Sequence, residues 1–157
     1  MGPGWPGVRM TTDFRDLRVW NEAMVLAESI YKMTGRFPAD ERFCLVSQMR
    51  RASVSVPSCI AEGNGRGSTK DYLRFLSMAK GSLAELQTQI LLASRLGLAE
   101  PEESTKALEQ ATSVSFLLQS LRKALNTKLQ RPSHSPFPIP HSPPVRKSVP
   151  RRRVCMT

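Results

Sequence analysis

The sequence is poor in the residues that most catalytic and metal sites use. Its two histidines, His134 and His141, lie near the C-terminus, so residues 1–133 offer no imidazole for a general base, a catalytic triad or a metal site. A di-iron carboxylate bundle would need Glu-x-x-His motifs, and the sequence has none. We therefore predict no catalytic residue, no metal site, no cofactor and no enzymatic activity.

Paired cysteines and long apolar runs are also missing. The three cysteines, Cys44, Cys59 and Cys155, form no C-x-x-C pair, so the sequence indicates neither a disulfide framework nor a thiolate zinc site. No run of about 18 apolar residues occurs, and the N-terminus lacks the residue order of a signal peptide. We expect a cytoplasmic protein without a membrane partner.

The positive charge is concentrated in the C-terminal part of the chain. The formal net charge is +10, but residues 10–129 contain 16 Lys or Arg residues against 13 Asp or Glu residues. The other basic residues are Arg9 and six that follow Leu129. The excess positive charge, which would favour nucleic-acid binding, therefore lies mainly in the residues after Leu129.

Apolar spacing predicts four helices and no strand. Helix 1 is predicted over about residues 16–33, and helix 2 over about residues 40–62 with Asp40 as its N-cap. The predicted buried stripe of helix 2 consists of Phe43, Val46, Met49, Ser53, Val56 and Ile60. Pro57 falls inside this stripe, so helix 2 either bends there or divides into two short helices.

Helices 3 and 4 carry clear local signals at their ends. Ser68 and Asp71 resemble a capping box at the start of helix 3, and Gly97 suits the position after its end. Helix 4 is predicted to begin at Pro101. Its predicted buried face consists of Leu108, Ala111, Ser115, Leu118, Leu121 and Leu125. Short connections favour antiparallel neighbours, so the predicted fold is an all-α, antiparallel up-down four-helix bundle with a disordered C-terminal tail.

The chain divides into one folded domain and two terminal segments. We predict a flexible segment over residues 1–13, the bundle over residues 14–129 and a disordered, proline-rich basic tail over residues 130–157. The tail has seven prolines and no acidic residue, and its few large apolar residues cannot offset the entropy of ordering. Met10 is as plausible a translation start as Met1.

Helix 3 carries two seams of residues at heptad spacing. The first consists of Leu76, Ala79, Leu83, Leu86, Ile90 and Ala93, as a bundle core requires. The second, called the second seam below, consists of Phe75, Met78, Ser82, Glu85, Gln89, Leu92 and Leu96. An isolated bundle needs one apolar face per helix, so the second seam predicts an oligomer interface. Alternatively, both seams form one wide face within the subunit.

Five basic residues are candidates for binding nucleic acid. They are Arg50, Arg51, Arg66, Lys70 and Arg74, the densest cationic group outside the tail. Arginine binds phosphate with two-point geometry, and each neutralised phosphate releases counterions. The alternative is a solvated face paired to acidic residues of other helices. Sequence-specific reading of single strands is not predicted.

Two acidic residues are predicted to form structural ion pairs. Glu62 lies at the end of helix 2, where the helix dipole disfavours an anion, so we expect a partner such as a nearby arginine or exposed backbone amides. Glu85 lies in the middle of the second seam and is expected to meet an arginine of helix 2. The glycines that follow Glu62 lack the Walker lysine, so residues 63–67 are predicted to be a helix connection.

Two long motifs resemble those of a known bacterial family. They are SQMRRASVSVPSCIAEG at residues 47–63, which includes Pro57, Glu62 and Gly63, and GSLAELQTQ at residues 81–89. Together with FRDLRVW at residues 14–20 and with Phe37-Pro38, they resemble the four-helix bundle family whose founding members are encoded by intervening sequences in large-subunit ribosomal RNA genes. The resemblance covers residues 14–125.

The resemblance implies an up-down bundle, a ring-like homo-oligomer that is expected to be a pentamer, and no known catalytic activity. Relatives with a similar fold are accessory proteins of retroelement reverse transcriptases. Two residues depart from the family pattern, since Cys59 replaces an expected Asn and Cys44 an expected Gly. We therefore expect a non-enzymatic homo-oligomer that binds RNA or DNA. The alternative is a protein-interaction scaffold, for example a reverse-transcriptase accessory protein, with no direct RNA role.

Overall fold

The computed structural model describes residues 13–130. Within this range the chain forms four α-helices and no strand, which confirms the predicted fold class. The predictions of a flexible N-terminal segment and a disordered tail concern residues 1–12 and 131–157, which lie outside the described residues. None of the described helices combines the length and the apolar content that a membrane span requires.

The helices are α1 (Arg18–Thr34), α2 (Leu45–Gly65), α3 (Thr69–Arg95) and α4 (Pro101–Gln130). Short 3-10 helices, Phe14–Asp16 and Ala39–Phe43, precede α1 and α2. Each helix packs against the next one along the chain, and α1 also packs against α4. Arg36, just after α1, forms an ion pair with Glu103 in the first turn of α4, so α1 and α4 run in opposite directions. The result is a closed up-down bundle.

The start of α2 differs from the prediction. Asp40 lies in the 3-10 helix, and the carboxylate of Glu41 accepts a hydrogen bond from the backbone N–H of Leu45 at 3.3 Å. α2 therefore begins at Leu45, and the prediction that Phe43 is buried is wrong, because Phe43 is 85% exposed. The other five residues of the predicted stripe are buried. α2 is continuous through Pro57, so the alternative of two short helices is also wrong.

The ends of α3 and α4 agree with the local sequence signals. The Ser68 hydroxyl accepts a hydrogen bond from the backbone N–H of Asp71, as a capping residue does. Gly97 has a φ of +69°, the left-handed conformation that favours glycine after a helix. Pro101 is the first residue of α4. On the buried face of α4, Val114 is fully buried where Ser115 was predicted, and Ser115 is half-buried.

Candidate functional site

The contact between α2 and α3 is the most extensive in the bundle. The hydroxyl groups of Ser55 and Ser82 form a hydrogen bond of 2.9 Å. Near the end of α2, a Cβ atom on Gly63 would lie 2.6 Å from Cδ2 of Tyr72 and 2.8 Å from Cβ of Phe75. These contacts set the antiparallel register, and they explain why the motif has a glycine at position 63: a side chain there would overlap α3.

Glu62 and Arg66 form an ion pair across one turn at the end of α2. The guanidinium group of Arg66 also lies over the ring of Phe75, 5.0 Å from its centroid. The expected arginine partner of Glu62 is therefore present. The pair is half-exposed, so its contribution to stability is small and Arg66 remains accessible from solvent.

Arg50 has a structural role at the opposite end of α2. Its Nε donates a hydrogen bond to the Thr34 hydroxyl at 2.9 Å, and its guanidinium carbon lies 4.7 Å from the centroid of the Tyr31 ring. Both partners belong to α1, so Arg50 joins α1 to α2. Arg51 is exposed, with no ion pair among the described residues.

The five predicted nucleic-acid residues do not form one cluster. Arg66 directly follows α2 and comes sixteen residues after Arg50. At about 1.5 Å per residue, the two lie about 24 Å apart along the helix. Arg66, Lys70 and Arg74 lie around the connection between α2 and α3, and Lys70 and Arg74 are exposed. The structure thus brings together three of the five residues and separates Arg50 and Arg51 from them.

Further basic residues join this end of the bundle from α4. Because α3 and α4 are antiparallel neighbours, the last turns of α4 lie at the same end as the first turns of α3. Those turns carry Arg122, Lys123 and Lys128, and no carboxylate follows Glu109 in α4. We call the combined set the cationic end: Arg66, Lys70, Arg74, Arg122, Lys123 and Lys128. The sequence could have indicated the three basic residues of α4, because no acidic residue follows Glu109 in that helix.

The second seam lies partly inside the subunit and partly on its surface. Gln89 is buried, and Phe75 and Ser82 are half-buried. Met78, Leu92 and Leu96 are 49%, 45% and 59% exposed. The oligomer interface remains a prediction, and the accessible residues that can serve it are these three apolar residues and Glu85.

Glu85 has a different partner from the one expected. Its carboxylate accepts a hydrogen bond of 3.0 Å from Nε2 of Gln89 on the same helix, instead of meeting an arginine of α2. The other amide atom of Gln89, Oε1, is buried and has no hydrogen-bond partner among the described residues. Gln89 therefore positions Glu85 from within the helix.

The two cysteines of the bundle lie apart. Cys59 is buried in α2, with its sulfur 3.9 Å from the Ser55 hydroxyl, and Cys44 is exposed before α2. Within residues 13–130, no three His, Cys, Asp or Glu side chains are grouped as a metal site would require. The thiol at position 59 thus belongs to the buried face of α2.

Comparisons with known proteins identify one family. The profile described as 23S rRNA-intervening sequence protein matches residues 15–120. The chain is also similar to a solved crystal structure from Bacteroides thetaiotaomicron VPI-5482, a protein of unknown function from the S23 ribosomal protein family. The match has a TM-score of 0.62 and 22% identity, and it covers 67% of this chain and 98% of that chain. At that identity, the likeness shows the fold alone. No curated protein matches.

Proposed function

Because the chain belongs to the 23S rRNA-intervening sequence protein family, we propose that it is a non-enzymatic helical bundle that binds structured RNA through its cationic end. The observation that carries this proposal is the convergence of basic residues from three helices at one end. Asp71 is the only carboxylate on the first three turns of α3 or on α4 after Glu109. The other carboxylates at this end are Glu62, which pairs with Arg66, and Asp13 and Asp16, which Arg15 and Arg18 balance, so a positive excess remains. Such an excess of positive charge attracts a polyanion.

The composition of the cationic end favours contacts to phosphates over contacts to bases. Lys70, Arg74, Lys123 and Lys128 are exposed, and Phe116, the one exposed aromatic residue of α4, lies two turns before Lys123. Double-stranded RNA is recognised largely through its shape, its phosphates and its 2′-hydroxyl groups, which basic side chains on a rigid surface can contact. Gln130, the last residue of α4, also lies at this end, and six basic residues follow it in the sequence.

Self-association would strengthen such weak contacts. In a closed ring, the cationic end would be repeated around the symmetry axis, so one RNA could contact several copies at high effective concentration. We propose that the exposed half of the second seam, Met78, Glu85, Leu92 and Leu96, forms this contact. A pentamer remains the expected number of copies.

The test compares two triple variants of the full chain that remove equal charge. One carries Lys70→Ala, Arg74→Ala and Lys123→Ala at the cationic end. The control carries Lys32→Ala, Arg42→Ala and Arg95→Ala, three exposed basic residues at the opposite end. Binding to a fluorescent RNA hairpin is measured across salt concentrations, with helicity and oligomer size checked for each protein.

We expect the cationic-end variant to lose affinity and to lower the slope of log affinity against log salt by about 2 to 3, since each phosphate contact contributes about 0.7 to 0.9. The control should keep the slope of the parent. Equal losses in both variants would mean that net charge alone attracts RNA. Unchanged binding in both would remove the bundle from any RNA role.

A second candidate function is a protein-interaction scaffold, with no direct role for RNA. The observation that favours it is the exposure of Leu92 and Leu96, one turn apart near the end of α3, with Met78 exposed nearer its start. A chain that assembles normally but binds no RNA would place this function first.

A further inference from the structure

An open groove runs between α1 and α2. Its volume is about 570 Å³, within the range of about 300–1,000 Å³ that is common for ligand pockets. The buried residues Ala27 and Pro57 lie on its floor. Phe14 and Trp20, which pack edge to face with their centroids 5.2 Å apart, line one end, and Tyr31 lines the other. The groove is therefore an aromatic and largely apolar surface that no described residue covers.

The groove is long and narrow. Trp20 and Tyr31 are eleven residues apart on α1, which is about 16 Å at about 1.5 Å per residue. The second wall is the face of α2 that carries Val54, Ser58 and Ala61. A single hydrocarbon chain can lie along such a surface and bury its methylene groups, each of which raises affinity by up to about fourfold. A compact ligand would leave one end unfilled.

Three basic side chains surround the Tyr31 end of the groove. Lys32 lines the groove itself, and the guanidinium carbon of Arg50 lies 4.7 Å from the centroid of the Tyr31 ring. Arg51 is exposed on α2, one turn before Val54. Within the described chain, the terminal nitrogens of Arg50 donate no hydrogen bond and none of the three side chains forms an ion pair. Their donors are free to bind an anion.

Acidic residues offset only part of this charge. Glu28, one turn before Lys32, also lines the groove. Over residues 28–54, which form this end of α1 and α2 and their connection, the sequence has five basic residues against three acidic ones. Glu103 of α4 adds one more carboxylate, which pairs with Arg36. A positive excess remains at this end of the groove.

The aromatic end of the groove has no such excess. Residues 13–22, which precede and begin α1, carry two basic residues against three acidic ones. Glu62, at the end of α2, pairs with Arg66. The two ends of the groove therefore differ in polarity, and an amphipathic anion fits in one direction only, with its charged group at the Tyr31 end.

We propose that the α1/α2 groove binds a free fatty acid of medium chain length. Its carboxylate contacts Lys32, Arg50 and Arg51, and its hydrocarbon chain lies along the groove toward Trp20. The carboxylate accepts hydrogen bonds from side chains that have no other acidic partner, while the chain covers the exposed aromatic surface. Fatty-acid binding is independent of RNA binding, since none of the six residues of the cationic end lines the groove.

Quenching of Trp20 by bromine tests both occupancy and direction. The full chain carries Trp5→Phe, which leaves Trp20 as the sole tryptophan. ω-Bromodecanoate places its bromine at the far end of the chain, beside Trp20, whereas α-bromodecanoate places it next to the carboxylate. We expect saturable, strong quenching by the ω-bromo acid and little by the α-bromo acid. ω-Bromodecanol, which lacks the negative charge, should bind more weakly.

Competition by unbrominated acids measures the contribution of the hydrocarbon chain. Decanoate and octanoate should both displace ω-bromodecanoate and restore the fluorescence of Trp20. Decanoate should do so at a lower concentration, by up to about 15-fold if both additional methylene groups are buried. Equal potency of the two acids would mean that the chain does not lie in the groove, and it would overturn the proposal.

A matched pair of double variants tests the site of the carboxylate. One carries Lys32→Ala and Arg51→Ala, which leaves the contacts of Arg50 with α1 in place. The control carries Lys80→Ala and Arg95→Ala, two exposed basic residues of α3. The first should bind ω-bromodecanoate about 2- to 30-fold more weakly than the parent, the effect of losing two exposed ion pairs. The control should bind like the parent, with unchanged helicity in both.

A second pair of variants tests the groove wall. Val54→Glu places a charge in the groove, whereas Val25→Glu places the same charge at a similarly exposed position of α1 outside it. Only Val54→Glu should abolish quenching. Equal quenching by the two bromo acids, or equal losses in the two members of either pair, overturns the proposal.

Other occupants of the groove would give different results, each of which also overturns the proposal. Quenching that falls as the protein concentration rises assigns the groove to a second copy of the chain. Quenching that appears only after removal of residues 1–12 or 131–157 assigns it to that segment. Stronger quenching by vesicles of brominated phosphatidylglycerol than by the free acid assigns it to a membrane surface.

Discussion

Gly63 of α2 lies directly against the aromatic ring of Tyr72 of α3, so close that any side chain at position 63 would overlap that ring. The atoms that would be displaced belong to a buried ring and to the Cβ atom of Phe75, neither of which can move without shifting α3. The close spacing of α2 and α3 at the cationic end therefore requires glycine at position 63, since even the methyl group of alanine would not fit.

Replacing Gly63 by alanine should lower the free energy of unfolding by about 1–3 kcal/mol, the usual cost of adding a methyl group to a closely packed site. Gly81 is the matched control, because it also lies inside a helix but has open space around it. Gly81→Ala should raise the free energy of unfolding by about 0.5–1 kcal/mol through helix propensity. Urea unfolding followed by circular dichroism measures both. Equal effects of the two substitutions would contradict the close approach.

Tyr72 should make the fold sensitive to high pH. Burial raises the pKa of its hydroxyl group above the ordinary value of 10.0, although the nearby Asn64 side chain offsets part of the increase. The folded state therefore holds this proton more tightly than the unfolded state. The resulting stability is complete below about pH 10 and is lost as the pH rises through the folded pKa.

Tyr72→Phe should remove this loss while preserving the ring that packs against Gly63. Tyr31→Phe is the control, since Tyr31 is 46% exposed. Urea unfolding at pH 8 and at pH 11 should show a smaller fall in stability for Tyr72→Phe than for the parent or the control. The same fall in all three proteins would show that Tyr72 ionises freely in the folded state.

Substitutions of the neighbouring residues Arg50 and Arg51 should have different effects on the free energy of unfolding. Arg50→Ala removes the hydrogen bond to Thr34 and the contact with the Tyr31 ring, so the free energy of unfolding should fall by about 1–2 kcal/mol. Arg51→Ala should change it by less than about 0.5 kcal/mol, as exposed substitutions do. Thermal melts compare the two variants. A larger effect from Arg51 would mean that Arg51 holds the helices together.

Self-association should depend on Leu92 and not on its neighbour Leu91. The two leucines are 45% and 48% exposed, but only Leu92 belongs to the second seam. Leu92→Glu should shift the chain toward the monomer, and Leu91→Glu should leave the parent's mass unchanged, in light scattering coupled to size exclusion at tens of micromolar. A monomeric parent chain would contradict the predicted interface outright.

The sequence predicted the features that rest on local chemistry. Ser68, Gly97 and Pro101 mark helix ends by their own hydrogen-bonding and conformational preferences, so their roles were visible without any tertiary information. The start of α2 could not be predicted in this way. There Glu41, within a 3-10 helix, accepts a hydrogen bond from the backbone N–H of Leu45, and Phe43 stays outside the core. A heptad count cannot detect that change of helix type.

The arrangement of charged residues could be predicted only in part. Glu62 and Arg66 are one turn apart, so their pairing follows from helix geometry. The separation of Arg50 from Arg66 required the length and continuity of α2, which Pro57 had left open. The contribution of Lys123 and Lys128 required the direction of α4 relative to α3, a tertiary fact that the spacing of either helix alone does not contain.

The hydrogen bond between Ser55 and Ser82 limits how the bundle can respond to a bound ligand. Apolar side chains would permit α2 to slide along α3 by one helical turn and repack, as helices do in some allosteric transitions. Such a step would separate the two hydroxyl groups, which are half-buried, and drive the Gly63 backbone past the Tyr72 ring. We therefore expect α2 and α3 to move together as a rigid pair, so that a ligand bound elsewhere on the bundle leaves the spacing of charges at the α2–α3 connection unchanged.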